Sequence, residues 1–399
     1  MRVAAGVDGG PQAWRAVAVA FTAMFTTFGV AYGFGAFLVP MSQDLGTGRG
    51  ATATVFSLTT LALFGLGALS GAAVDRVGPR RVVLLGAVSL GLGLVVVSRA
   101  TSLWQALLGH GLGVGLAVAC CYVPLVAVVG GWFQARRTLA VGVAVSGIGL
   151  GTLVGAPVAA ALIDAVGWRD AYLVLAAAGT SVLLLCALLV RAAPVHLDAV
   201  HVPLLPRLRT PVYLKLYGAG LLLSVGLFVP FVHLPSYAVD RGASTVAGAA
   251  LVGVIGAASV VGRLALGAAA GRLGVLRTYQ GCFALIAGSF AVWLADLRGD
   301  GSYAVLVVFA VLLGVGYGGF VALGPPLVAE VFGVQGLGGL LGVLYTSAAF
   351  GSAVGPPLAG ALITASDGYG SSVTGALAVL GLALAVVLRV GTRRTPVVS

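Results

Sequence analysis

The chain reads GAAVDRVG at residues 71–78 and GAAAGRLG at residues 267–274, which begin 196 positions apart. A second pair of matching stretches, GTLVGAP at residues 151–157 and GSAVGPP at residues 351–357, begins 200 positions apart. Two separated matches at nearly the same offset indicate an internal duplication. The sequence therefore predicts two similar halves.

The composition places both halves in a lipid bilayer. Apolar residues make up 60% of the 399 positions, charged residues make up 8%, and the mean hydropathy is +1.11, which lies far outside the soluble range. A membrane-spanning helix needs roughly 20 apolar residues. Twelve such stretches follow one another along the chain: 16–39, 51–74, 82–98, 102–130, 138–163, 170–191, 213–236, 244–270, 276–295, 302–329, 336–364 and 371–390. We predict an all-α polytopic membrane protein with twelve transmembrane helices in two pseudo-symmetric six-helix halves.

A polar linker is predicted between the halves. Residues 192–212 contain four prolines, two histidines and an aspartate, a composition that does not continue a helix. The expected organisation is an N-terminal six-helix bundle at 1–191, a cytoplasmic linker at 192–212 and a C-terminal six-helix bundle at 213–399. Two such halves around a central cavity are typical of secondary transporters, whose substrates bind near the bilayer midplane between the repeats.

The basic residues predict the orientation in an inner cell membrane. The formal net charge is +11, and sixteen of the 22 Lys and Arg residues fall on the cytoplasmic side if the N-terminus is inside. The positive-inside rule then places both termini in the cytoplasm. Because the basic residues are spread over loop ends and do not cluster on one face, we expect no nucleic-acid partner.

The sequence gives no sign of a cofactor, a metal site or a catalytic site. The four cysteines lie in apolar runs, with no Cys-x-x-Cys and no histidine at ligand spacing. No His-Glu-x-x-His, no pair of intramembrane carboxylates and no glycine-rich phosphate loop followed by lysine occurs. A membrane-embedded enzyme is therefore disfavoured, and nothing demands more than a monomer.

Four motifs resemble those of a known family. GAAVDRVGPRR at residues 71–81 resembles the loop-two signature of the major facilitator superfamily. Within it, DGGPQAW at 8–14, WFQARRTLAVG at 132–142 and FVPFVHLP at 228–235 resemble motifs of the monocarboxylate transporters. The resemblance implies alternating access and transport of small organic anions, monocarboxylates such as lactate or pyruvate, with protons as the candidate coupling ion. An exporter of drugs or other metabolites is the alternative, since the glycines of 151–157 resemble an efflux motif.

The loop-two stretch contains the residues of a conformational latch. Asp75 can accept hydrogen bonds from a helix N-terminus or pair with an arginine, and Gly78 permits a tight turn. The predicted latch consists of Gly71, Asp75, Arg76, Gly78, Arg80 and Arg81. The alternative is a plain basic loop that follows the positive-inside rule.

Arg263 is the most informative single residue. It lies inside the eighth apolar stretch, and a charge near the bilayer centre costs at least ~2.5–3.5 kcal/mol on insertion scales. No acidic residue lies mid-span in the predicted helices, and a planar guanidinium suits a carboxylate bound through two hydrogen bonds. The substrate is therefore the expected counter-ion. Monocarboxylate transporters place a substrate-binding arginine in the eighth helix, and Arg263 matches it. The alternative is snorkelling, or hydrogen bonding to helix carbonyls.

Several uncharged side chains are expected beside Arg263. Tyrosine combines an apolar ring with a polar tip, and Tyr122 and Tyr317 lie near the middle of their helices beside Gly/Pro stretches. The rest of the predicted substrate site consists of Tyr32, Ser259 and Phe350. Each of these aromatic residues is also explained by ordinary packing.

The sequence offers several groups that could carry a proton. Many animal monocarboxylate transporters have an acid four residues before the eighth-helix arginine and a lysine in the first helix, whereas this chain has Ser259 and Ala36 there. The remaining candidates are His110, His233 and the substrate's own carboxyl group, because only histidine has an ordinary pKa near neutrality. A lone histidine in a membrane also serves as a helix–helix hydrogen-bonding group.

Overall fold

The computed structural model describes residues 10–391 except 134–135, 194–203, 300 and 334, and describes no side chain for Ala68 and Asp75. Within these residues all regular secondary structure is helical. Eleven continuous runs are long and apolar enough to cross a bilayer, and the longest, Arg137–Leu189, is two helices because Gly167 interrupts it with a φ of 80°. The described chain therefore has the twelve spanning helices that the sequence predicts.

The helices, in chain order, are α1 Pro11–Asp44, α2 Arg49–Val77, α3 Pro79–Ser98, α4 Leu103–Trp132, α5 137–166, α6 168–189, α7 Pro211–Asp240, α8 Thr245–Leu273, α9 Val275–Arg298, α10 Tyr303–Phe332, α11 Leu337–Ser366 and α12 Gly370–Leu388. A single helical turn, Leu205–Leu208, precedes α7. We call the face where α1 begins and α12 ends the terminal face, and the face with the α1–α2 and α7–α8 connections the opposite face. Most helix ends lie within a few residues of the predicted ones; α1 is longer because its polar ends stay helical beyond the apolar run.

The internal duplication is visible in the backbone. Gly46 and Gly242 connect the first two helices of each half with φ values of 62° and 91°, and Gly78 and Gly274 connect the second and third with 82° and 89°. Positive φ strongly favours glycine because a Cβ atom would clash there. Both pairs are separated by 196 positions, so the two halves share turn geometry as well as sequence.

Three helices break near the middle of the bilayer-spanning region. The backbone of α1 bends at Gly33, that of α4 at Tyr122 and that of α7 at Phe228. Irregular backbone at membrane depth is tolerated where it is buried in protein or lines a cavity. These breaks therefore point to the centre of the molecule as the place to search for a site.

The two halves meet along three helix pairs: α1 with α7, α2 with α11, and α5 with α8. Small residues let these backbones come close, as they do in other membrane helix pairs. A Cβ atom on Gly35 would lie only 2.5 Å from the carbonyl oxygen of Phe231, and one on Gly50 would lie 2.7 Å from the amide nitrogen of Ala361. Most of the predicted linker, residues 194–203, lies outside the described residues.

Candidate functional site

A central cavity lies between the halves. It encloses about 790 Å³, including space open to solvent, and is lined by residues from both halves. Its lining reaches Tyr279, four residues from the start of α9, so it extends from the middle of the molecule toward the terminal face. Toward the opposite face the three helix pairs close it.

The lining is dominated by aromatic rings. Nine of its 19 residues are aromatic, against 8% in the whole chain: Phe28, Tyr32, Phe64, Tyr122, Phe228, Tyr279, Tyr317, Phe320 and Tyr345. The others are small or aliphatic, apart from Ser224, Ser347 and Arg263. Sequence reasoning missed many of these rings, since an apolar helix gives no periodic signal that separates the cavity face from the lipid face.

Arg263 is the charged residue in this lining. It projects from α8 and its Nη1 donates a hydrogen bond of 3.1 Å to the carbonyl oxygen of Val145 on α5. Its Nε and Nη2 atoms are buried and have no hydrogen-bond partner among the described residues. The expected alternative, bonding to a helix carbonyl, therefore accounts for one nitrogen. Each buried donor left unsatisfied costs about 1–3 kcal/mol, or more when charged, so two donors are available to an anion.

Three predicted tyrosines also line the cavity. The hydroxyl oxygens of Tyr32 on α1 and Tyr317 on α10 are 3.3 Å apart, so a hydrogen bond joins the two halves there. Tyr122 lies at the break in α4, and its ring packs edge-on against Phe28 at 5.6 Å between centroids. These tyrosines and Arg263 form one polar cluster inside an apolar cavity.

Two other predicted site residues do not reach the cavity. Phe350 is 54% exposed and forms, with Val354 and Leu358, a stripe on the outer surface of α11. This corrects the predicted placement, because residues at i, i+4 and i+8 share one helix face and here that face points to lipid. Ser259 is 1% exposed; its hydroxyl donates to the carbonyl of Gly256 at 2.7 Å and it packs against α10.

Both candidate histidines are fully buried outside the cavity lining. His110 lies in a π-helical segment of α4, with its Nδ1 3.2 Å from the Thr59 hydroxyl of α2. His233 on α7 has its Nε2 2.8 Å from the carbonyl oxygen of Pro356 on α11. Each therefore bonds helix to helix within one half, and their second ring nitrogens have no partner in the described part of the chain.

A polar cluster that the sequence did not reveal joins the halves at the opposite face. Arg49, at the start of α2, forms an ion pair of 3.1 Å with Asp240 at the end of α7. It also donates to the hydroxyl of Tyr369, which in turn donates to Asp240 at 2.7 Å. Burial and this carboxylate raise the pKa of Tyr369, so the phenol stays protonated. Thr245 donates separately to Asp164, linking α8 with α5.

The predicted latch lies at the terminal face. Gly78 forms the turn between α2 and α3, and Gly71 lies about two helical turns earlier on α2. The Arg76, Arg80 and Arg81 side chains are exposed there. The Asp75 side chain lies outside the described residues, so latching stays a prediction.

Comparisons with known proteins agree with this architecture. The sequence model described as Major Facilitator Superfamily matches residues 19–299. MFS-type transporter 1 from Ophiocordyceps sp. (strain BCC 1869) is 30% identical, and the alignment covers 96% of this chain and 86% of that protein. Monocarboxylate transporter 12-B from Danio rerio is 32% identical over 91% of this chain and 83% of its own length.

A solved structure shares the fold. The bacterial homolog of the human lysosomal transporter Spinster, in its inward-facing and unoccupied conformation, superimposes with a TM-score of 0.75 over 97% of this chain and 98% of that one, at 15% identity. Twelve helices in two related halves, a central cavity and these matches lead to one conclusion. The chain belongs to the Major Facilitator Superfamily, as a multi-pass membrane transporter similar to the monocarboxylate transporters.

Proposed function

We propose that this protein is a secondary active transporter of small organic anions, namely monocarboxylates, with Arg263 as the group that binds the carboxylate. The observation that carries the proposal is the pair of unpartnered, buried nitrogens of Arg263 in a cavity whose described lining includes no acidic residue. A carboxylate would accept from both donors and neutralise the charge at once.

Alternating access follows from the way the halves meet. The described conformation is closed at the opposite face by the Arg49 cluster and the three helix pairs, while the cavity extends toward the terminal face. We propose that the terminal face lies on the cytoplasmic side of the inner membrane, in line with the positive-inside rule. The bundles 1–191 and 213–399 would then rock about the substrate, joined by the linker 192–212.

Proton coupling is proposed to use a group other than the carboxyl held by Arg263, because a neighbouring guanidinium favours the ionised form of a bound acid. His110 and His233 both lie outside the cavity lining and bond between helices of a single half. His233 is the proposed group, since its buried Nδ1 has no hydrogen-bond partner among the described residues.

The apolar lining favours one alternative transport function, the export of an apolar metabolite. A cationic drug is disfavoured as cargo, because the charged residue in the described lining is an arginine. No reaction is proposed for the cavity: the named relatives are transporters, and the protein is proposed to move its substrate unchanged.

Uptake by purified protein in liposomes tests the proposal. Labelled lactate, pyruvate, acetate and 3-phenylpropanoate would be offered with and without an inward proton gradient to the wild type, Arg263→Ala and the lipid-facing control Phe350→Ala. We expect at least one acid to be taken up, with uptake lost in Arg263→Ala and retained in Phe350→Ala. Failure with every acid, or uptake indifferent to Arg263, would refute the anion assignment.

A further inference from the structure

The shape and chemistry of the cavity also indicate which carboxylates it accepts. We propose that the preferred substrates are monocarboxylates with an aromatic or similarly large apolar body, rather than acids of two or three carbons. This inference rests on the proposed function, since it assumes that Arg263 binds a carboxylate.

Aromatic rings form the walls on both sides of the cavity. From the N-terminal half, Phe28 packs edge-on against Tyr122 with centroids 5.6 Å apart. From the C-terminal half, Tyr279 and Phe320 stack at 5.5 Å with nearly parallel planes. Aromatic pairs prefer such edge-on and offset arrangements, and a substrate ring between two aromatic walls finds both kinds of partner.

Four of the seven hydroxyl groups in the described lining are already engaged in hydrogen bonds, and the other three, on Tyr122, Tyr279 and Tyr345, are the tips of aromatic rings. The hydroxyls of Ser224 and Ser347 already donate to carbonyls of their own helices, at 2.8 and 2.6 Å. Tyr32 and Tyr317 are paired with each other. Lactate bound at Arg263 would therefore leave the aromatic walls in contact with water, whereas a phenyl ring would cover part of that apolar surface.

The charge of the lining limits the substrate to one carboxylate. Arg263 is the charged side chain among the described lining residues, so a second carboxylate would have to leave water without a counter-ion. An amine is also disfavoured, because its positive charge would be repelled by that of Arg263. A single acid group on an apolar body is the chemistry that satisfies both the arginine and the aromatic walls.

The inference is tested with matched pairs of compounds in liposomes that contain the full-length protein. Half-saturating concentrations for uptake would be compared for 3-phenylpropanoate and propanoate, with protein-free liposomes to subtract passive entry of the acids. Succinate, 3-phenylpropylamine and 3-phenylpropanamide would be added as competitors. We expect 3-phenylpropanoate to half-saturate at a concentration at least about tenfold lower than propanoate, since a buried ring gains at least this much from leaving water, and we expect the three competitors to be weak.

Two variants link the preference to the walls. Phe320→Ala is expected to raise the half-saturating concentration of 3-phenylpropanoate severalfold and leave that of propanoate nearly unchanged; Phe350→Ala, which changes the lipid-facing surface, should move neither. A ratio near one in the wild type, with both acids transported in an Arg263-dependent way, would overturn this inference and leave the proposed function intact. Transport of no acid at all would instead refute the proposed function. If Phe320→Ala loses all transport, Phe320→Leu, which keeps bulk without a ring, provides the same comparison.

Discussion

Two interfaces between the halves, α2 with α11 and α5 with α8, are related by the internal duplication and yet differ in chemistry. In α11, Pro356 has no N–H for the carbonyl of Ser352, and the hydroxyl of Ser57 on α2 donates to that carbonyl at 3.0 Å. In α5, Pro157 likewise frees the carbonyl of Leu153. The residue of α8 that faces it, 196 positions after Ser57, is Gly253.

The difference shows how the duplicated halves have diverged. At the depth of these prolines, hydroxyl groups hold α2 against α11, whereas α5 and α8 depend on close backbone approach: a Cβ atom on Gly253 would lie 2.7 Å from the carbonyl oxygen of Leu153. The same helix α8 carries Arg263, whereas the equivalent position of α2 is Gly67. The α5–α8 interface is therefore the one that carries the charge of the cavity, and it is held partly by the Arg263 bond to Val145.

The largest effect is expected from placing a bulky side chain in the α5–α8 interface at Gly253. Gly253→Leu would force α5 and α8 apart, because its side chain would meet backbone atoms of Leu153 that cannot move aside. Overpacking of this kind costs about 1–3 kcal/mol or more, and we expect uptake to fall below a tenth of the wild-type rate with a lower melting temperature in detergent. Gly288→Leu on α9, where a side chain meets open space, is the matched control. Equal uptake by the two variants would show that close approach of α5 and α8 is not needed.

An intermediate effect is expected at the opposite face. Arg49→Ala removes the ion pair with Asp240 and the bond to Tyr369. Because Arg49 and Asp240 are 28% and 44% exposed, their pair contributes roughly 1 kcal/mol or less. This is still enough to shift a conformational equilibrium severalfold.

Distances between spin labels on Gln43→Cys and Ser371→Cys, one in each half, would report the shift. We expect the longer-distance population to grow in Arg49→Ala and to stay unchanged in Arg99→Ala, an exposed arginine at the same face. If the distance distribution were unaltered in Arg49→Ala, the Arg49 cluster would have no role in gating.

The smallest effect is expected at the hydroxyl interface. Ser57→Ala leaves the buried carbonyl of Ser352 without this donor, at a cost of about 1–3 kcal/mol, partly offset because a membrane interior allows local helix adjustment. We expect a melting temperature lower by a few degrees and uptake at half the wild-type rate or more. Ser181→Ala on α6, whose hydroxyl bonds only its own helix at an exposed position, should change neither quantity. If Ser57→Ala lowered uptake and the melting temperature as much as Gly253→Leu, the two interfaces would contribute equally to stability and transport.

The fold was predictable because a bilayer imposes long apolar helices and because the duplication leaves matching motifs. The helix count, the two halves and the positive-φ turn at Gly78 all follow from such signals. The bends at Gly33 and Tyr122 were not predictable in detail, since they depend on which neighbouring helix receives the freed backbone groups.

The site was predictable only in its charged and tyrosine members. Arg263 stands out because a buried charge in a membrane helix needs a counter-ion or hydrogen-bond partners, and Tyr32 and Tyr122 lie at helix breaks. Phe350 was misplaced because α11 is apolar on all sides, so sequence periodicity does not separate lipid from cavity. The Arg49–Asp240–Tyr369 cluster could not be predicted, since it joins three helix ends far apart in the chain.

The role of Arg263 as the anion-binding group is tested most directly by measuring equilibrium binding. Calorimetric titration of 3-phenylpropanoate and of its neutral amide into purified wild type and Arg263→Gln separates the charge from the apolar body. Loss of charge-assisted hydrogen bonding costs about 1.5–3 kcal/mol, so we expect the acid to bind at least tenfold more weakly to Arg263→Gln than to the wild type, and the amide to bind both proteins equally. Equal affinity of the acid for both proteins would contradict the assignment of Arg263 as the anion-binding group.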